Sequence, residues 1–397
     1  MKKIKSVNIK NLKILKDVFI ELGSLTLITG VNSSGKSTFI QALLLLKQNQ
    51  DSLQKKTTNM MLEKTLGNNE SKELEEHIKD ILKKEQDKPI NLNGEYLLLG
   101  ERKDVFNQTT YDEDIEIELF IEDLGKYKIS CKNKDLIVNL ETDAKIPIES
   151  IINLFAEDFQ YVNTDRIQPN TTYSLSEQIV RKNLIGLKGE YTAHYLDENR
   201  HKKLSIVDLK HKNAKTDFLL ENVSLWLSEI SNGIEVLAKK YPDIQKAGLS
   251  YKYTFGADVT NEYTPMNVGF GITYVLPIIV SILKSSRNDL LIIENPESHL
   301  HPAGQSKIAE LCSLASTNGV QIIIESHSEH FLNGLRVATK KDILKSDDVK
   351  IYYFEKKDEK MCSEIYPLSI DNNGNINETW PDGFFDEYRK KLDELIW

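Results

Sequence analysis

Gly30-Val-Asn32-Ser33-Ser34-Gly35-Lys36-Ser37-Thr38 is the stretch on which the fold turns. Before it runs Leu25-Thr-Leu-Ile-Thr29, short, apolar and β-branched, as a buried strand requires. After Lys36 comes Ser-Thr-Phe-Ile-Gln-Ala-Leu-Leu-Leu-Leu, a strong helix pattern. The stretch fits G-x-x-x-x-G-K-[ST] in its proper strand–loop–helix context. Glycines let the backbone curl around phosphate oxygens, and the helix N-terminus adds N–H donors and a partial positive charge. Lys36 is expected to reach the β- and γ-phosphates of a nucleotide and the Ser37 hydroxyl to ligate Mg²⁺, with Asn32, Ser33, Ser34, Gly35 and Thr38 completing the loop. A chance glycine turn before a surface helix would not bring all these parts together.

Two later segments suit the same chemistry. Leu290-Leu-Ile-Ile293 is a continuous apolar run that suits a central parallel strand, and it ends on Glu294-Asn295-Pro296-Glu297. Acids at the carboxyl edge of an open α/β sheet sit where ligands bind. One acid there can hold Mg²⁺, and a neighbour can orient an attacking water. Glu294 stands at the metal-side position. Asn295 cannot act as a base, so Glu297, the next carboxylate, is the preferred candidate. The plain alternative is that both acids cap the helix that follows.

Val320 to Ile324 is a second apolar run, ending Glu325-Ser326-His327. A histidine at the end of a neighbouring strand is placed to sense a γ-phosphate. His299, His301, His327 and His330 also admit a reading as a metal cluster, but they lack cysteines and a clear ligand set.

The 397 residues are enough for one large α/β domain or two lobes. A net charge of −9 argues against a strongly basic nucleic-acid groove. Cys131, Cys312 and Cys362 show no paired spacing, which points to a reducing, cytoplasmic compartment. No long apolar segment follows Met1-Lys-Lys, and the stretch around Val275 to Leu283 is too short to cross a bilayer, so no signal peptide and no membrane are expected.

Ile4 to Glu21 alternates as a two-stranded hairpin leading into the phosphate-loop strand, and Tyr96 to Leu140 reads as several strands. Residues 51–90 read as a charged, solvated helical insertion, with a helix expected from Glu73 to Lys84. Leu219 to Lys239 carries apolar residues at helical spacing, and a closing helix is expected near Phe385 to Ile396. Asn267-Val-Gly269-Phe-Gly271 precedes an apolar helix start; alone it is as well explained by a plain helix-entry turn.

Taken together, these stretches resemble the ABC-type ATPase heads of the SMC, RecF and OLD group. More closely, they resemble compact bacterial AAA-family ATPases that end in a short domain of unknown function. The resemblance is carried by GVNSSGKST with QALLLLKQ, YVNTDRIQP, IGLKGEYTAHYL, NVGFGITYVLPI, IENPESHLHPAG, ESHSEHFLNGLR and WPDGFFDEYRKKLDELI. It implies an α/β P-loop fold of the ABC-head kind, with a mixed, largely parallel core sheet, an N-terminal antiparallel β lobe and a helical lid insertion. One head would span 1–397, with a helical/β lid region over 170–262 and a short C-terminal subdomain over 345–397. Asn267, Gly269 and Gly271 would belong to the signature segment that meets the ATP of a second subunit, His327 would be the switch histidine, and Gln48 would contact Mg²⁺. Relatives commonly end the acidic strand in Asp-Glu, where this chain has Glu294-Asn295.

The expected activity is therefore Mg-ATP hydrolysis between two heads of a homodimer or higher oligomer. The expected setting is an antiphage module, in which the ATPase controls a separately encoded effector such as a nuclease, with direct DNA contact left open. A repair clamp is the main alternative. A self-contained OLD-like nuclease is disfavoured, since only a short tail follows Arg336 and Asp347-Asp348 is a poor catalytic cluster.

Overall fold

β1 (Ile4–Leu12) and β2 (Leu15–Glu21) form the expected antiparallel hairpin, with Leu12 opposite Leu15 across a turn in which Lys13 takes a φ of 50°. Val7 and Ile9 bury on alternate positions, and a register shift against the neighbouring strand between Ile4 and Ser6 changes the parity so that Ile4 is buried while Lys5 is exposed. The computed structural model describes residues 1–66, 89–110, 113–144, 151–357, 362–378 and 387–396. The helix expected from Glu73 to Lys84 lies outside them. By its internal contacts the chain divides into two compact units. The first comprises Met1–Leu22, Val31–Ala156 and Phe354–Tyr366, and the second Gly23–Gly30, Glu157–Tyr353 and Pro367–Trp397.

In the first unit, β1 and β2 are joined by β4 (Ile115–Ile121), β5 (Gly125–Cys131) and β6 (Val138–Thr142) in one antiparallel sheet, order β2-β1-β4-β5-β6. The helix α1 (Lys36–Gln48) buries Phe39, Ile40 and Ala42 through Leu46. The helix α2 (Gln50–Leu66) corrects the reading of residues 51–90 as solvated from their start. Leu53, Lys56 and Thr57 are buried, and the Lys56 ammonium donates to the Val138 carbonyl at 2.8 Å. A lysine's apolar stem can enter a core when a carbonyl receives its head.

In the second unit, β3 (Leu25–Gly30), β7 (Gln160–Val162), β12 (Leu290–Glu294) and β13 (Gln321–Glu325) lie parallel in the order β3-β13-β12-β7. The beginning of β14 (Val349–Lys357) borders β3. Ile292, Ile293, Ile322, Ile323 and Ile324 are all fully buried, which is why these strands read as unbroken apolar runs.

The region from 170 to 262 contains α3 (Glu177–Arg181), α4 (Thr192–Glu198) and α5 (Leu219–Ser228). It also contains strands, in keeping with the helical/β character expected of it. β8 (Tyr173–Ser174), β10 (Lys246–Phe255) and β11 (Asp258–Val259) form a second sheet, with β9 (Ile234–Tyr241) paired along β10. The single helix expected over Leu219 to Lys239 is thus a helix followed by a strand. The helix itself stops at Ser228 although the apolar spacing runs on, Gly233 turns the chain at a φ of 75°, and Ile234, Val236 and Ala238 then bury on alternate positions. Three longer helices follow: α6 (Phe270–Leu283), α7 (Pro302–Thr317) and α8 (Glu329–Lys340). A closing helix, α9, spans Glu387–Ile396. No helix among the described residues is long and apolar enough to cross a membrane.

Candidate nucleotide site

The phosphate loop lies in the first unit. Its chain leaves β3 at Gly30 (φ 139°), passes Ser33 at a φ of 61°, and enters α1 through Gly35 at a φ of 100°. That last conformation admits only glycine at low cost. A Cβ on Gly35 would also fall 2.7 Å from both Leu15 Cδ2 and Ser363 Oγ. Lys36 is buried, and its ammonium donates to the Val31 carbonyl at 2.7 Å; the Ser34 hydroxyl donates to the same carbonyl at 2.8 Å. The loop therefore already has the curled form that a polyphosphate needs, and Lys36 lies across it.

Gln48, expected to contact Mg²⁺, is bonded to a neighbouring loop in this structure. Its Oε1 accepts the backbone N–H groups of Tyr96 (3.1 Å) and Leu97 (2.9 Å), and its Nε2 donates to the Asn91 carbonyl at 3.0 Å. The amide braces the 91–97 loop, and the backbone groups that claim its oxygen compete with any metal. In the same unit, a cavity of about 480 Å³ is lined by Lys13, Ile14, Lys103, Phe106, Asn107 and Lys356, among others.

The acidic strand end lies in the second unit. Parallel register sets Glu294 of β12 beside Glu325 of β13, and Glu325 in turn beside Ile28 of β3. The strand that delivers the phosphate loop, the histidine strand and the acidic strand are thus consecutive at one carboxyl edge. Glu294 is held on both oxygens: Oε1 accepts from the Tyr161 hydroxyl at 2.9 Å, and Oε2 from the Thr164 hydroxyl at 3.0 Å. Burial, with Glu294 beside it, pushes the Tyr161 hydroxyl's pKa up, so it remains a donor.

Glu297 sits past a turn in which Asn295 takes a φ of 45°. Its Oε1 accepts the His327 N–H and its Oε2 the Ser326 hydroxyl, both at 2.8 Å. Burial raises the Glu297 pKa above the ordinary 4.5, against the opposing pull of those donors and of the Arg166 guanidinium. A partly desolvated carboxylate of raised basicity is chemically suited to polarise a water.

Arg166 was not singled out by sequence reasoning, although it lies within YVNTDRIQP. Only 2% exposed, it donates to the carbonyls of Glu294 (2.6 Å), Asn295 (2.7 Å), Asn163 (3.0 Å) and Tyr274 (3.1 Å). Its guanidinium carbon lies 4.2 Å from the centroid of the Tyr274 ring. Burial lowers its pKa to about 10, which leaves it cationic at neutral pH. One side chain thereby ties α6, the end of β12 and the loop after β7 together. A lone arginine after a short strand carries no local signal of this.

Gly269 and Gly271 differ in kind. Helix α6 begins at Phe270, so Gly271 lies inside its first turn. A Cβ on Gly271 would fall 2.2 Å from the His299 carbonyl, whereas one on Gly269 would meet nothing within 4 Å. Close packing within the subunit therefore requires glycine at 271, and Gly269 faces open space. Asn267 ends a short 3₁₀ turn before the helix, and its amide donates to the Thr264 hydroxyl at 3.1 Å.

The four histidines do not converge on a metal. The His299 ring packs edge-on against Phe270 and Tyr274, and His301 caps α7 by accepting the Ala303 N–H. Among the described residues, the single group with metal-ligand spacing is Glu177, His194 and Glu198. There the Lys240 ammonium already pairs with both carboxylates. His194 Nδ1 accepts the Ser176 N–H at 3.2 Å, so the neutral ring carries its proton on Nε2 and offers no lone pair toward the acids.

Comparison with known proteins adds an independent line. Residues 1–332 match the family model described as AAA ATPase domain, and residues 344–395 match a protein family of unknown function, DUF3696. No curated protein matches the chain. Among solved structures, it is similar to an SMC head bound to the C-winged helix domain of ScpA. That likeness has a TM-score of 0.53 at 13% identity and covers 92% of this chain and 98% of the other. The SMC head domain with an extended coiled coil, bound to the C-terminal domain of ScpA from Pyrococcus furiosus, gives a TM-score of 0.48 at 14% identity, with both chains fully covered. The likeness at 0.53 is one of fold: an SMC-head-like α/β architecture.

Proposed function

The chain belongs to the AAA ATPase domain family, with an SMC-head-like fold, and on that premise we propose that it hydrolyses Mg-ATP by bringing two heads together around the nucleotide. The observation that carries this reading is the shared sheet edge: β3, which leads into the phosphate loop, then His327 after β13, then Glu294 and Glu297 after β12. In this mechanism Lys36 and the loop N–H groups would bind the β- and γ-phosphates, and Ser37 and Glu294 would be the residues that hold Mg²⁺, which would neutralise charge on the phosphates. Glu297, lifted in basicity by burial, orients the attacking water, and His327, tied to Glu297 through its N–H, senses the γ-phosphate. Gly269, open on its outer side, belongs to the surface that meets a second subunit's nucleotide.

The donor chemistry of these residues fits the metal: hydroxyl and carboxylate oxygens are the hard ligands that Mg²⁺ prefers. The proposed biological setting is a bacterial antiphage module with a separate effector, and that part rests on the family resemblance alone. The test is turnover of purified protein against ATP and Mg²⁺, together with sedimentation with and without ATP. Mg-dependent hydrolysis that follows ATP-driven dimerisation supports the reading. Turnover by a protein that stays monomeric in ATP rejects the shared-nucleotide part of it.

A further inference from the structure

The match to the AAA ATPase domain ends at residue 332, yet the phosphate loop is held by residues beyond that point. Within the first unit, the end of β14 and the neighbouring β15 (Cys362–Leu368) contact the loop at both of its ends. The Val31 N–H donates to the Phe354 carbonyl at 3.2 Å. The Ser363 hydroxyl donates to the Ser34 carbonyl at 2.5 Å, and the Ser363 N–H donates to the Ile14 carbonyl at 3.1 Å, which anchors Ser363 itself.

The bond to Ser34 has a directional consequence. A trans peptide is planar, and its C=O and N–H point to opposite sides. No cis peptide occurs among the described residues, so a Ser34 carbonyl drawn toward Ser363 turns the Gly35 N–H away from it. That N–H is one of the backbone donors with which a loop of this sequence cradles phosphate oxygens. Ser34 is fully buried, and the φ of 100° at Gly35 leaves the peptide open to rotation that a side chain would otherwise forbid. Something must hold it, and Ser363 supplies the bond.

We propose that Ser363 is a positioning residue of the nucleotide site, and that the C-terminal DUF3696 segment thereby completes the phosphate loop. This rests on the reading of that loop as a polyphosphate-binding element. The ligand class is a nucleoside triphosphate, recognised here through its phosphates rather than its base.

The test compares Ser363→Thr with Ser363→Val in the full chain, since the two differ in a hydroxyl and hardly in shape. Calorimetry would measure affinity for ATP and for inorganic tripolyphosphate, a base-free probe, and steady-state kinetics would give KM and kcat. The threonine variant is expected to bind both ligands three- to tenfold more tightly than the valine variant, about the worth of one net hydrogen bond. KM for ATP should differ by the same factor, with kcat at saturation equal in the two. Equal affinity in the pair, at whatever level, overturns the proposal. A difference for ATP that vanishes for tripolyphosphate overturns it as well. A wild-type protein that binds neither ligand would instead reject the reading of the loop itself.

Discussion

Glu297 Oε1 accepts the backbone N–H of His327 at 2.8 Å, which locks the carboxylate past the acidic strand to the histidine past its neighbour. Glu297→Gln should therefore spare ATP binding, slow turnover by about a hundredfold or more, and accumulate an ATP-bound dimer. Glu294→Gln should instead weaken Mg-dependent binding and hydrolysis together. The two variants separate by calorimetry and single-turnover kinetics. The wild-type pH–rate profile should fall on its acid side above the ordinary glutamate value. A base must be deprotonated to act, and burial raises this one. Glu297→Gln should remove that limb. Wild-type turnover in Glu297→Gln would take the residue out of the mechanism.

Lys36→Ala should weaken ATP binding by about a hundredfold or more, because it strips a buried cation from the phosphates. The empty loop should survive, since the Ser34 hydroxyl still closes it on the Val31 carbonyl. Calorimetry with ATP and thermal unfolding without it check the two halves of this expectation.

The glycines of the α6 entry should respond differently. Gly271→Ala forces a methyl against the His299 carbonyl and should destabilise the fold by roughly 1–3 kcal/mol. Gly269→Asp meets open space, so it should leave the unfolding midpoint unchanged while blocking ATP-driven dimerisation through charge and bulk. Sedimentation in ATP reads the second effect. Normal dimerisation of Gly269→Asp would remove this segment from the interface.

Arg166→Met should destabilise the protein by about 3–5 kcal/mol, since it leaves four backbone carbonyls without their guanidinium partner. Arg166→Lys should recover only part of the loss, because three ammonium hydrogens cannot reproduce a planar five-donor fork. Urea unfolding of the three proteins decides it.

Burial lowers the pKa of Lys284 to about 8, and its ammonium donates to the Asn183 carbonyl at 2.6 Å. Between that value and the ordinary 10.5 the unfolded chain holds more protons, so stability should rise with pH through this window. Asp289 runs the other way. Burial raises it from 3.8 to about 6, the folded chain holds more protons in between, and stability should fall as pH rises across that range. Lys284→Met should abolish the alkaline rise and leave the acid-side slope, as urea midpoints measured across pH would reveal.

The phosphate loop, the acidic strand end and the histidine strand were readable from sequence because each is a contiguous run whose periodicity and punctuation are local. The hairpin of β1 and β2 was readable for the same reason. Local patterns failed where a change of period was masked, as at Ser228, where apolar spacing continues while helix gives way to strand. They also gave no sign of the partners of Gln48, whose amide bonds to a loop more than forty residues away. The contacts that orient the candidate site are long-range in sequence: Arg166 reaches Glu294 across 128 positions and Ser363 reaches Ser34 across 329. Sequence alone determined where the glycine-rich strand–loop–helix and the acid- and histidine-ended strands fall, since strand, turn and helix propensities act over a few residues. Only the tertiary structure decided which side chains aim them, because a hydrogen bond between distant residues exists only once the sheet has brought both partners within reach.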